Sequence, residues 1–184
     1  MTLIRVYVFN QQLIIPTVAQ TEDGFFVDLG PVKVLTMKQF EQWESAILKS
    51  LLVGNEIIPT PDPADVPGSA ILDRLNIRKW STFETQAIMY TLHDGGRYVM
   101  LHRTGKGANG MWNNSTMEQR KFDSRTPRPL VVEALLADIK KQPEFKPPST
   151  GLMILPKEES QEKNGKEEKK APLQLTDQSK NKSS

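Results

Sequence analysis

Along residues 3–10, Ile4, Val6 and Val8 alternate with Arg5, Tyr7 and Phe9, and a period of two is the mark of a half-buried strand. The text continues as a meander. Residues 13–20 lead to a turn at Glu22, Asp23 and Gly24, residues 25–29 to a second at Gly30 and Pro31, and residues 32–35 close the series. Connections this short suit antiparallel pairing. Pro16 offers no ladder donor, so its strand is expected to lie at an edge or to carry a bulge.

At Thr36 the period changes. Phe40, Trp43, Ile47 and Leu51 fall on one helical stripe, with polar residues elsewhere. Thr36 and Gln39 have the spacing of a capping box, Gly54 is placed to end the helix, and Trp43 reads as a core anchor. Residues 55–68 then hold four prolines, which oppose helix and ladder alike and predict a stiff crossover. Residues 69–76 predict a short helix capped by Ser69. Residues 78–104 predict a hairpin turning at Gly95 and Gly96, with a helix over 82–93 as the competing pattern. A last amphipathic helix is expected from a Thr126 cap, with Pro127 at its first position, a stripe of Val131, Leu135 and Ile139, and Pro143 as its stop.

Strands then helix, crossover, strands then helix predict an α+β fold. It would be an antiparallel sheet of two meander or hairpin halves packed against two main amphipathic helices. The pattern leaves one sheet or two open. Residues 1–156 are expected to form a single domain. Residues 157–184 lack the apolar content to offset the entropy of ordering, and predict a disordered charged tail. Just before it, the apolar stretch 151–156 reads as a strand added within the chain or as a docking motif.

Composition narrows the classes. Cysteine is absent, which removes disulfides, thiolate metal sites and cysteine nucleophiles. The start of the chain lacks the pattern of a secretory signal, no run approaches the ~18 apolar residues of a membrane helix, and a soluble cytoplasmic protein is expected. The net charge of +2 conceals a division. Residues 1–72 carry four Lys or Arg against eight Asp or Glu, and residues 73–156 thirteen against eight. Such asymmetry points either to an anionic partner for the basic part or to attraction between the two parts.

Residues 102–114, HRTGKGANGMWNN, place Gly105, Gly107 and Gly110 in GxGxxG spacing. A dinucleotide fingerprint needs those glycines at a strand-to-helix turn, with an acidic residue ~20 positions on. No helical stripe follows, and Asp123 comes too early. A protein-kinase loop does lie between strands, but no HRD or DFG sequence accompanies it. A solvent-facing connection with glycines at positive φ is the better reading. His93 and His102 would lie on one sheet face. With a two-residue turn at Gly95 and Gly96 they would stand about 13 Å apart, four residue steps of ~3.3 Å, too far to share a metal ion. No catalytic residue, cofactor or metal site is expected.

What remains is a concentration of basic, planar and amide groups: Arg97, Arg103, Lys106, Trp112, Asn113, Asn114, Arg120 and Lys121, with Arg125 and Arg128 nearby. Such a set can anchor a protein interface or track phosphates and stack a base. The function expected is therefore non-enzymatic: an inhibitor, immunity-type or regulatory protein binding a protein partner through this basic hairpin and its glycine loop. The alternatives are a nucleic-acid-binding module using the same surface, and a small enzyme acting on a phosphorylated substrate. No membrane partner is expected, and the oligomeric state is left open.

Overall fold

In the computed structural model, which describes residues 1–62 and 68–145, the opening alternation becomes strand β1 (Thr2–Phe9). Strands β2 (Gln12–Thr21) and β3 (Phe26–Thr36) complete an antiparallel meander. Pro16 sits where the β2–β3 register shifts, between Ile15 and Thr17. The bulge is thus the way this strand accommodates proline, since β2 is flanked by β1 and β3 and is no edge. The expected stripe then forms in two pieces, a 3-10 turn at Met37–Gln42 and helix α1 (Trp43–Val53). Thr36 N donates to Gln39 Oε1 at 3.1 Å, as the capping spacing requires.

Between the halves come a two-residue strand β4 (Ile57–Ile58), parallel to the end of β2, and two short helices, α2 (Ser69–Leu75) and α3 (Trp80–Gln86). Ser69 is the first helical residue rather than the cap. Gly68 takes that place at φ +82°, and Trp80 lies so close against it that an added Cβ would collide with the indole. The two competing patterns over 78–104 are both realised in succession, α3 ending at Gln86 and β5 (Ile88–Asp94) following. Strands β6 (Tyr98–Lys106) and β7 (Trp112–Asp123) and helix α4 (Arg128–Lys141) finish the second half. Pro127 occupies the cap of α4, one residue later than the sequence suggested.

All seven strands form one sheet in the order β3-β2-β1-β5-β6-β7, with β4 beside β2. Each half contributes a three-stranded meander followed by a helix, and the first strands of the two meanders pair antiparallel at the centre, from Thr2 opposite Asp94 to Val8 opposite Ile88. The order therefore reads the same outward in both directions.

One face carries the main core. Ile4, Val6, Val8, Leu13 and Ile15 from the first half meet Tyr90, Leu92, Val99 and Leu101 from the second, under Trp43, Ile47 and Leu51 of α1 and Val131, Leu135 and Ile139 of α4. Each large side chain so buried contributes about 1.5–3 kcal/mol relative to exposure. Trp43 is fully buried, and its Nε1 donates to Thr36 O at 3.1 Å. On the opposite face Tyr7, Phe9 and Ile14 pack with Ile71 of α2 and Phe83 of α3. The last four residues of β1 are thus buried on both faces. That explains why large apolar side chains occupy both parities there. The segments at 151–156 and 157–184, and residues 63–67 of the proline-rich stretch, lie outside the described residues.

Candidate functional site

The glycine-rich stretch is the tip of the β6–β7 hairpin. Gly107 N donates to Met111 O at 2.8 Å and Gly110 N to Gly107 O at 2.9 Å, closing a tight turn with Gly110 at φ +76°. Gly105 serves a different need. It lies at the register shift between Arg103 and Gly105, where a Cβ would collide with the side chain and backbone of Thr116 across the ladder. Two of the three glycines are thereby explained by strand geometry, and the loop joins two strands rather than opening a helix.

The basic and planar groups divide into engaged and open ones. The Trp112 indole turns inward: it stacks on Tyr7 at 5.6 Å between ring centroids, its Nε1 donates to Ala87 O at 3.1 Å, and its backbone N donates to Glu84 Oε1 at 2.9 Å. Lys106 crosses the Trp112 ring and donates to Glu84 O. Arg103 pairs with Glu118, lies 3.5 Å from Asp138, and donates to Gln142 Oε1 at 2.8 Å. The hydrogen bond to Glu118 is the main reason the guanidinium is held above its usual range, and the same bond lowers the Glu118 carboxyl. Asn113 Oδ1 accepts from Ser115 N and Oγ.

Arg97, Asn114, Arg120 and Lys121 are exposed. Lys121 Nζ rests 4.4 Å from the centre of the Tyr98 ring, itself exposed. Arg128 is tied to Asp94 at 2.6 Å. Arg5 pairs with Asp28 within the first half, and Arg103 and Arg128 with acids of the second.

Arg97 lies in the β5–β6 connection, while Asn114, Arg120 and Lys121 stand on β7, a strand of 12 residues whose side chains from Asn114 to Lys121 are all exposed. β7 ends the sheet, so among the described residues its outer backbone edge has no strand neighbour. Composition had singled out several of its side chains but not the edge itself. A strand wet on both faces lacks the alternation by which strands are recognised. Two depressions flank it. One, about 240 Å³, is lined by Tyr90, Leu101, Arg103, Glu118, Arg120 and Asp138; the other, about 340 Å³, lies beside Gly105 and Thr116.

The histidines stand differently from expectation. Asp94 pairs with Val99, and Gly95 N donates to Tyr98 O at 3.1 Å, so the connection has four residues, not two. His93 consequently lies opposite Met100 and His102 opposite Thr91, diagonal neighbours rather than four steps apart. His93 Nε2 and His102 Nδ1 are both shielded from solvent without a hydrogen-bond partner among the described residues. Burial, with the charge of His93 second, lowers the pKa of His102. Among the described residues no group of three or more His, Asp or Glu side chains is placed to hold a metal ion. A second polar cluster joins β1 to β3: Arg5 pairs with Asp28 at 2.8 Å and Tyr7 OH donates to Asp28 Oδ2 at 2.5 Å. Burial, and then the Asp28 charge, push the Tyr7 phenol well above its usual range, so this hydroxyl stays a donor.

No protein-family model matches the chain, and no curated protein matches it. Among solved structures, a protein of unknown function from Neisseria meningitidis is similar over 74% of this chain and 91% of its own, with 12% identity and a TM-score of 0.50. At that identity the likeness concerns the fold alone. No helix among the described residues is long and apolar enough to cross a membrane.

Proposed function

We propose that this chain acts by binding a protein partner along the outer edge of β7, as an inhibitor, an immunity-type protein or a regulator. The observation that carries the reading is the long outer strand, which among the described residues has no strand neighbour along one side and is exposed on both faces from Asn114 to Lys121. Natural sheets usually shorten, cover or break such edges, and an uncovered one can accept an extended segment through main-chain hydrogen bonds, with side-chain pockets adding specificity. The depressions beside Glu118, Arg120 and Thr116 lie inward of this edge, over β6, and can take long side chains reaching across β7.

A protein is favoured over a nucleic acid because Arg103 and Lys106 are engaged within the fold, and because β7 offers Glu118 and Asp123 beside Arg120 and Lys121. Mixed charge with an exposed Met117 and Tyr98 suits a protein interface better than a row of phosphates. Trp112 then supports the hairpin from inside while the exposed residues of β7 make the contact. The test is capture of partners from the native host by the full chain, followed by amide hydrogen exchange of the complex. New protection over residues 112–123 is expected. Protection confined to other strands would refute the edge. Retention of DNA or RNA that falls steeply with salt would move the assignment to the nucleic-acid alternative.

A further inference from the structure

A cavity of about 490 Å³ lies on the main-core face, between the C-terminal end of α1 and the bulged parts of β2 and β3, a size common for small-molecule sites at ~300–1,000 Å³. We propose that it binds a single-chain anionic amphiphile, with the hydrocarbon against Ile4, Ile15, Val18 and Val53 and the acid group between Lys33 and Lys49.

The lining divides cleanly by chemistry. Its neutral polar side chains are already satisfied: Thr17 Oγ1 donates to Pro31 O at 3.1 Å, and Ser50 Oγ to Ala46 O at 3.0 Å. Asn55 staples the end of α1 to the sheet, donating to Leu3 O and Val18 O at 2.8 Å each and accepting from Leu3 N at 2.6 Å. That leaves the two ammonium groups as the polar side chains able to orient a ligand. Lys33 is opposite Ile15 in the β2–β3 register, hence on the cavity's side of the sheet, and Lys49 lies one helical turn before Val53. Both are exposed, and neither forms an ion pair among the described residues. Buried Ile4, Ile15 and Val18 form apolar walls, while Val53, also lining the cavity, stays 78% exposed. An apolar chain ending in an acid covers the Val53 surface and meets both charges at once.

Titration calorimetry of the full chain with decanoate, decanol and decyltrimethylammonium, each below its micelle concentration, tests this. Decanoate is expected to bind about tenfold or more tightly than decanol, as a charge-assisted head contact would give, and the ammonium not to bind. The double substitution Lys33→Gln, Lys49→Gln changes only exposed side chains and should bring decanoate down to the level of decanol. Val53→Trp should weaken both by narrowing the apolar end. Equal affinity for decanoate and decanol, decanoate binding unchanged in the double variant, or no decanoate binding in the native chain would each overturn the proposal.

Discussion

The two outermost strands of the sheet, β3 and β7, occupy equivalent places in an arrangement that reads the same from either end, yet they are finished in opposite ways. β3 carries a register shift opposite Pro16 and holds a proline of its own, Pro31, which follows a cis peptide bond. It also has α2 packed along it, with Ala70 facing Gly30. β7 holds no proline, and its own register shift lies between Glu118 and Asn113, opposite Arg103 and Gly105, leaving the ladder from Glu118 to Asp123 regular. Their polar ties differ in the same sense. Asp28 of β3 is buried with Arg5 and Tyr7, whereas Glu118 of β7 meets Arg103 in water. One edge is closed against pairing by recognised devices. The other, among the described residues, keeps an uncovered stretch from Glu118 to Asp123 with a regular ladder behind it.

The sharpest way to break this contrast is at the ties. Asp28→Ala leaves a half-buried guanidinium and a buried phenol without their acceptor, and is expected to cost about 3–5 kcal/mol of unfolding free energy by urea titration. Glu118→Ala, at a fully exposed carboxylate, should barely move the same curve. A smaller effect is expected within the β6–β7 hairpin. Gly105→Ala must force β7 away at Thr116, for about 1–3 kcal/mol. Gly107→Ala, where the nearest atom to a new Cβ is the side chain of Asn109 at 3.2 Å, should change stability by much less.

Between the two edges lies His102, and its contribution is smaller still. Its folded-state pKa is lowered from the ordinary 6.5, so stability linked to the neutral ring is complete above that value and is lost as pH falls through 6.5 toward the folded-state pKa. A pH series of melting midpoints should decline below about 6.5, and His102→Gln should flatten that decline. Smallest for folding, though decisive for the edge, is Met117→Lys. An exposed site of this kind shifts stability by within about 0.5 kcal/mol, while a new charge on β7 should weaken retention of the captured partner in a pull-down.

Much of the fold was legible because its elements announce themselves locally. The stripe from Phe40 to Leu51, the one from Val131 to Ile139, and the alternation of β1 each follow from a single repeating period. Joining the halves into one sheet was not legible, since the pairing of Thr2 with Asp94 leaves no local trace. Nor was the register of His93 and His102. Two adjacent glycines suggested a tight turn, but the tie from Gly95 N to Tyr98 O made the loop longer and moved every residue across from it. Of the candidate site, charge composition found Arg120 and Lys121, but it could not tell them from Arg103 and Lys106, whose partners lie on α4, β7 and α3. Trp112 looked like an outward anchor for the same reason, its contacts with Tyr7 and Ala87 being distant in sequence.

The central pairing of β1 with β5 also dictates an order of events during synthesis. Strands β1 to β3 can assemble from neighbouring residues, but the inner side of β1 must wait until Ile88–Asp94 has left the ribosome. At about 5–20 residues per second that interval lasts on the order of several seconds. For that time the nascent chain presents Ile4, Val6 and Val8 on a strand unpaired along its inner edge, and a neighbouring nascent copy offers the same edge. Translation speed across α2 and α3 thus governs the partition between correct closure and association of incomplete chains, and slowing it should raise the aggregated fraction without altering the finished protein.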